Sequence, residues 1–222
     1  MNRVSTCYLL LQRHERDPFL KRLVTGDETW ILYQNVHRKR TWSKDNRPST
    51  VAKPGLYPKK VLLFIWWDWK GVVYYEFLSQ GETINSAKYC NQLDQLKAAI
   101  AEKRPELSNR RGAVFHHDNA RPHVALDVRQ KLLQFDWDVL PQPLYSPDFA
   151  PSDYYLFLSL KNSLRDKGFQ SVNEMKMHLE EYFARVVLNE ARRRLDILSS
   201  HVSFLHCIRC TNKFGAFTYI QL

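Results

Sequence analysis

The chain has 222 residues and a mass of 26.4 kDa, which fits one α/β domain with a sizeable core. Its hydrophobic content of 44% excludes a disordered protein, and its longest apolar run, residues 61–67, is too short to span a bilayer. A net charge of +10 indicates either an anionic partner such as nucleic acid or a solvated positive face. The first residues do not form a secretory signal, and four irregularly spaced cysteines argue against a disulfide framework. We therefore expect a soluble, intracellular protein.

The first part of the chain predicts a helix, a strand and a long basic loop. Residues 5–17 have the apolar spacing of a helix, and residues 19–34 are rich in the β-branched and aromatic residues of a strand. Residues 35–60 contain eight Lys and Arg but a single acid, and prolines and a glycine interrupt them. A loop of this length inside a compact domain is usually functional or disordered.

The remaining elements predict a mixed sheet with helices on both faces. Residues 61–78 form two strands with a tight turn at Asp68–Gly71, and either Thr83 or Asn85 caps a helix over 84–103. Strands follow at 112–118 and 137–142. Further helices are expected at 123–135, 152–164, 171–186 and 189–205. Strands that later alternate with helices are typical of such an α/β sheet.

Asp153 is the acidic residue with the most informative position. It begins the predicted helix 152–164, where an Asp commonly caps the helix or interacts with its dipole. Apolar residues at helical spacing follow it and predict a stripe that faces the sheet: Leu156, Phe157, Leu160 and Leu164. A carboxylate at the head of this stripe is directed inward, which is costly unless it is paired or binds a metal. The stripe thus strengthens the interpretation of Asp153 as a metal ligand.

Two further acidic positions are candidates for the same site. Asp118 ends an apolar strand, so it either initiates a turn or joins the ligands at the carboxyl ends of strands. Thirty-four residues separate it from Asp153. Asp27 lies inside a strand-like run, where Asp is rare, and Glu28 beside it competes for the role. Because neighbouring strand residues point to opposite faces, we expect only one of these two to join the site.

The segments around these aspartates resemble the catalytic domain of mariner-type DNA transposases, of the Tc1/mariner superfamily. The resemblance covers residues 3–185 and is carried by TGDETWI, WWDWKGVVYYEFL, QGETINSAKY, HDNARPH, VLPQPLYSPDFAPSDYYLF and the 34-residue gap. It implies an RNase H-like fold of the retroviral integrase type, a mixed sheet flanked by helices. It also implies that Asp27, Asp118 and Asp153 are three catalytic aspartates.

The same resemblance implies metal-dependent chemistry on DNA. The three aspartates would hold two Mg²⁺ ions, replaceable by Mn²⁺, about 3.5–4 Å apart. One ion would activate water or a DNA 3′-hydroxyl, and the other would stabilise the leaving oxygen. The implied activity is strand cleavage and strand transfer in cut-and-paste transposition into TA sites. The implied partners are double-stranded DNA and a second copy of the chain in a homodimer, without a membrane, and the implied location is the nucleus.

The sequence departs from the family pattern, and two alternatives stay open. Mariner transposases carry N-terminal helix-turn-helix modules that read the transposon ends, and this sequence begins after them, so we expect weak sequence recognition. Phe149 replaces the usual Leu of the family, and FLHCIRC only loosely matches the closing region of the family. The alternatives are a stand-alone nuclease of the same fold, which would not transfer strands, and a catalytically silent DNA-binding or synapsis module.

Candidate DNA-binding residues lie in the basic loop and beside Asp118. They are Arg38, Lys39, Arg40, Lys44, Arg47, Arg121 and His123. By resemblance the loop at 35–60 corresponds to the mariner clamp loop, which reaches the partner subunit, although it could also be a solvated excursion. The histidines near Asp118, which are His116, His117 and His123, either steer a phosphate or pack.

Two other groups of residues have ordinary structural explanations. Five aromatic residues of the predicted hairpin could stack on DNA bases, but aromatics in paired strands more often fill the core. They are Trp66, Trp67, Trp69, Tyr74 and Tyr75. Cys207 and Cys210 form one C-x-x-C near His201 and His206, but zinc sites usually need a second pair. We therefore expect structural thiols there.

Overall fold

A computed structural model describes residues 3–36, 58–78, 81–108 and 112–185, which form a five-stranded sheet with helices on both faces. The strands are β1 (Leu23–Leu32), β2 (Lys60–Asp68), β3 (Gly71–Leu78), β4 (Val114–His116) and β5 (Asp138–Val139). Their order across the sheet is β3-β2-β1-β4-β5. The first three pair antiparallel, whereas β1, β4 and β5 pair parallel. The predicted mixed sheet flanked by helices is confirmed.

Most helices begin and end close to the predicted bounds, but the helix predicted over 152–164 is α-helical only over Leu158–Ser163. They are α1 (Arg3–Arg16), α2 (Ser86–Lys103), α3 (Leu126–Gln134), α4 (Leu158–Ser163) and α5 (172–185). Asn85 caps α2, as its side-chain oxygen accepts a 2.8 Å hydrogen bond from the N–H of Lys88. None of the helices in the described ranges is long and apolar enough to cross a membrane.

Each face of the sheet has its own apolar core because strand residues alternate between faces. On one face, α2 and α3 pack over Val24, Phe64, Trp66, Phe115 and their neighbours. On the other face, α4, α5 and the turn before α4 pack over Ile31, Leu63, Ile65 and Trp67. Trp66 is 1% exposed and Trp67 is 6% exposed, so both tryptophans are core residues and not base-stacking platforms. For these two residues the stacking alternative is wrong.

Several predicted elements are shorter in the structure. The strand predicted over 137–142 is reduced to Asp138–Val139 at the sheet edge, since prolines follow it in the sequence. The strand predicted over 112–118 ends at His116, and the strand predicted over 19–34 spans only Leu23–Leu32. The helix predicted from residue 123 begins at Leu126, because residues 121–124 form a turn. Most of the basic loop, the helix at 189–205 and the C-x-x-C lie outside the described residues.

Candidate active site

Three aspartates from distant segments line one cleft. Asp27 comes from β1, Asp118 from the loop after β4, and Asp153 from the turn before α4. The cavity between them has a volume of about 350 Å³. Its other lining residues are Asn119, Ala120, Gln142, Pro143, Leu144, Tyr145, Ser146, Pro147 and Ala150. The structure therefore brings together the three predicted site residues.

Asp27 and Asp118 meet because their strands are parallel neighbours. Thr25 of β1 pairs with His116 of β4, and each aspartate lies two residues beyond its member of that pair. Carboxyl ends of parallel strands share one edge of a sheet, which is where open α/β sheets bind ligands. Asp118 lies past the end of β4, so a loop and not a strand carries it. β1 continues to Leu32, so Asp27 enters the cleft from the middle of its strand.

Asp153 differs from its prediction in one respect. The apolar stripe is buried as expected, with Leu156, Phe157, Leu160 and Leu164 each at most 3% exposed. Asp153 itself is exposed and opens into the cleft, so it is not directed into the core. The reason is that Ser152–Phe157 forms a π-helical turn, in which each residue turns through a smaller angle than in an α-helix. Trp67 anchors this turn by donating a 3.1 Å hydrogen bond from Nε1 to Ser152 Oγ.

Burial and neighbouring carboxylates raise the proton affinity of two of the three aspartates. Burial, followed by the charge of Glu28 and then those of Asp153 and Asp118, raises the pKa of Asp27 to about 8. Burial also raises the pKa of Asp153, with the charge of Asp118 adding to the effect. Within the described ranges, no three His, Cys, Asp or Glu side chains are arranged as a formed metal site. A cation bound in the cleft would stabilise the ionised form of Asp27.

His123 holds Asp118 in place. Its Nδ1 donates to Asp118 Oδ1 at 2.5 Å, and the N–H of Ala120 donates to the same oxygen at 3.0 Å. On the other edge of the ring, Glu28 Oε1 lies 3.0 Å from Nε2 but out of line with the N–H bond, so this contact is an ion pair. Although burial lowers it, the pKa of His123 rises to about 9 because of these two carboxylates. Burial raises the pKa of Asp118, yet its hydrogen bonds give a net decrease.

The interpretation of His123 as a DNA contact is wrong. The residue is 3% exposed, and Tyr89 stacks on its ring at 4.0 Å between centroids. Both ring nitrogens face carboxylates of the protein, so neither is available to a phosphate. Of the two interpretations for the three histidines, packing applies to His116 as well, which is 6% exposed.

A second hydrogen-bonded chain supports the loop that forms the far wall of the cleft. Thr25 donates to His116 Nδ1 at 3.0 Å, and His116 Nε2 donates to Gln142 Oε1 at 2.8 Å. The amide of Gln142 then donates to the carbonyl oxygen of Ser146 at 2.9 Å, while Asn119 donates to the carbonyl oxygen of Gln142. The wall at 142–147 is therefore connected to β1, which carries Asp27, and to β4, which ends just before Asp118.

The predicted DNA contacts are only partly within the described residues. Arg121 is exposed in the turn after Asp118, so its side chain is available to a phosphate. Arg38, Lys39, Arg40, Lys44 and Arg47 lie outside the described residues. Their role stays a prediction.

Two residues of the site were not identified from the sequence. Tyr89 looked like an ordinary helix residue, and Gln142 looked like part of a strand. The only sequence feature that could have identified them is that they lie in QGETINSAKY and VLPQPLYSP, two of the motifs that carry the family resemblance.

The chain is similar in sequence and in fold to known transposases. Residues 32–110 match the model of a transposase family, described as a partial DDE domain. The mariner Mos1 transposase of Drosophila mauritiana is 46% identical over 184 residues, which are 82% of this chain and 53% of that protein. The human histone-lysine N-methyltransferase SETMAR is 42% identical over 174 residues, which are 78% of this chain and 25% of that protein.

The solved structure of the Mos1 catalytic domain matches nearly end to end. It superposes with a TM-score of 0.69 and 40% identity, and the match covers 89% of this chain and 91% of that one. The RNase H-like fold is thereby confirmed. The chain spans about half the length of Mos1 transposase and a quarter of SETMAR. By sequence and by fold, the chain belongs to the mariner family of transposases and corresponds to the catalytic domain of that family.

Proposed function

We propose that this chain cleaves DNA strands and joins them to target DNA, as the catalytic part of a mariner-type transposase. The observation that carries the proposal is the convergence of Asp27, Asp118 and Asp153 on one cleft. A buried carboxylate whose pKa is raised by neighbouring carboxylates is typical of a site that binds a cation or a proton. The net charge of +10 suits a polyanionic substrate.

The three aspartates fit divalent metal ions, and we propose that they hold two. Carboxylate oxygens are the ligands that Mg²⁺ prefers, and a bound cation would favour the ionised form of Asp27. Paired-end complexes of Mos1 were solved with Mg and with Mn. Bound Mg²⁺ would supply a lowered pKa for the attacking water or 3′-hydroxyl and charge stabilisation for the leaving oxygen.

The protein itself positions the reactants. His123 and the N–H of Ala120 fix one oxygen of Asp118, which keeps that carboxylate from rotating freely. Exposed Arg121 lies next to the cleft and would contact a DNA phosphate. The wall at 142–147 restricts the side from which DNA can enter. Positioning and charge stabilisation of this kind are the main contributions of a protein to phosphoryl transfer.

The proposed partners follow from the same assignment. A Mos1 structure is described as a paired-end complex with the left transposon end. We propose that this chain acts on double-stranded DNA at transposon ends, joins them at TA dinucleotides in a cut-and-paste reaction, and works as a homodimer when bound to DNA. Such a substrate would place the protein in the nucleus.

The direct test is cleavage of a labelled duplex and joining of a pre-cleaved end. Wild-type protein should nick and join DNA in Mg²⁺ or Mn²⁺ and do neither in EDTA. Asp118→Ala and Asp153→Ala should abolish both reactions without unfolding. Asp94→Ala is the matched control, because Asp94 is paired with Lys131 on the exposed side of α2.

The outcomes separate the alternatives. Nicking without joining would favour a stand-alone nuclease, and DNA binding without nicking would favour a silent module. Cleavage in excess EDTA, or undiminished cleavage by Asp118→Ala, would refute the metal-dependent mechanism.

A further inference from the structure

Glu28 does not line the acidic cleft, but it is connected to two of the aspartates that do, Asp27 and Asp118. Its backbone N–H donates to Asp27 Oδ1 at 2.7 Å. Its side chain, on the opposite face of β1, lies 3.0 Å from Nε2 of His123, which in turn donates to Asp118 Oδ1. One residue thus touches Asp27 directly and Asp118 through a single imidazole.

The imidazole in this chain has little freedom to move. His123 is 3% exposed, and its backbone N–H donates to the carbonyl oxygen of Ala120 at 2.9 Å. Tyr89 stacks on the ring with an interplanar angle of 26°, and the Tyr89 hydroxyl is itself 3.0 Å from Nδ1 of His117. This packing fixes the plane of the ring but does not by itself keep Nδ1 directed at Asp118 within that plane. The carboxylate of Glu28 on the far edge supplies that direction.

The two carboxylate oxygens of Asp118 therefore have different surroundings. Oδ1 accepts from His123 and from the N–H of Ala120, and no described residue donates to Oδ2. Oδ2 is therefore the oxygen left for a ligand in the cleft. Groups that hold a metal-binding side chain from behind in this way typically change metal affinity or activity about 10- to 100-fold when they are removed.

We propose that Glu28 is a positioning residue that orients Asp118 through His123 and so sets the affinity of the cleft for divalent cations. The proposal rests on the proposed function, since it assumes that Asp118 binds a metal ion. It resolves the competition between Asp27 and Glu28: Asp27 faces the cleft, and Glu28 holds Asp118 from the other face of the same strand. Adjacent residues of one strand can take these two roles because their side chains point to opposite faces.

The test compares two substitutions that differ in one property. Glu28→Gln keeps an oxygen beside Nε2 but removes the charge of the ion pair, whereas Glu28→Met keeps the length of the side chain without any oxygen. Glu82→Gln is the matched control, because Glu82 lines the same neighbouring groove as Glu28 and its carboxylate pairs with Lys88. Mn²⁺ binding to the DNA-free protein is measured by electron paramagnetic resonance, and single-turnover nicking is measured beside it. Thermal unfolding in EDTA checks that each variant is folded.

We expect Glu28→Met to weaken Mn²⁺ binding by about tenfold or more, and Glu28→Gln, which keeps the oxygen but loses the charge, to weaken it by less. Glu82→Gln should bind Mn²⁺ like wild type. If Glu28→Met does not fold, Glu28→Ala takes its place with the same expectation.

Three results would contradict these proposals, and they differ in which proposal they overturn. A wild-type protein that binds no Mn²⁺ would overturn the proposed function and this inference with it. Wild-type binding with an unchanged, folded Glu28→Met or Glu28→Ala variant would overturn the inference alone. Equal losses in the Gln and Met variants would show that the charge of Glu28 matters and that the oxygen facing Nε2 does not, which also contradicts a positioning role.

Discussion

Gly26 is required beside the site because a tryptophan occupies the space where a side chain would lie. A Cβ added at Gly26 would be 2.3 Å from Cδ1 and 2.4 Å from Nε1 of Trp66. Carbon atoms in contact lie about 3.5–4.0 Å apart, so Gly26→Ala requires a displacement of more than about 1 Å. Trp66 is 1% exposed and packs against Phe64 and Tyr89, so its ring has no empty space to enter.

The magnitude of the effect follows from this packing. Overpacking a well-filled core typically costs about 1–3 kcal/mol of the free energy of unfolding. The strain should also reach the site, because Gly26 precedes Asp27 and Tyr89 stacks on His123. We therefore expect Gly26→Ala to lower both stability and the rate of nicking.

Urea denaturation of Gly26→Ala, Trp66→Leu and the double variant measures the clash. If the indole is the obstacle, the two changes should be non-additive, with the double variant more stable than the sum of the single effects predicts. A Gly26→Ala protein within about 0.5 kcal/mol of wild type, the usual range of harmless surface changes, would refute this reasoning.

Three further predictions follow from charged residues. Burial and nearby charges raise the pKa of Asp27 to about 8 in the folded protein. The protonated side chain therefore contributes to the stability of the metal-free protein. This contribution is complete below the pKa of Asp27 in the unfolded chain and is lost as the pH rises to about 8. Asp27→Asn should therefore gain in Tm relative to wild type between about pH 5 and about pH 8 in EDTA, and a constant difference would contradict the raised pKa. Arg104→Ala should lower the free energy of unfolding, measured by urea denaturation, by about 3–5 kcal/mol. The reason is that Asp68 is 2% exposed and would lose its hydrogen bonds of 2.6 and 3.1 Å from the guanidinium. A decrease below about 1 kcal/mol would argue against a buried ion pair. Arg121→Ala should reduce the slope of log affinity against log salt for duplex DNA by about 1, and an unchanged slope would exclude a phosphate contact.

The sequence predicted those features that depend on local chemistry. The hairpin turn at Asp68–Gly71 was predictable because this short segment ends in a glycine and separates two apolar runs. In the structure Gly71 has a φ of 122°, a backbone angle that favours glycine. Asn85 was one of two candidate caps, and its short polar side chain made it a natural one. The buried stripe from Leu156 to Leu164 followed from helical spacing.

Features that depend on tertiary contacts were not predictable. The π-helical turn that exposes Asp153 has no clear sequence signal, so the carboxylate was expected to point inward. The burial of His123 was not predictable, because nothing in the sequence shows that Glu28 and Tyr89 enclose its ring. Such contacts join segments that are far apart in the chain, and only the folded arrangement reveals them.

The central claim is that Asp27, Asp118 and Asp153 hold the ions that drive DNA cleavage. The most direct measurement is anomalous X-ray scattering from crystals of this chain soaked in Mn²⁺. If the three aspartates hold the ions, manganese peaks should lie within ligand distance of all three carboxylates and should be lost in Asp118→Ala crystals. Well-ordered crystals with no manganese in this cleft, or with manganese bound only elsewhere on the protein, would show that these aspartates are not the metal site.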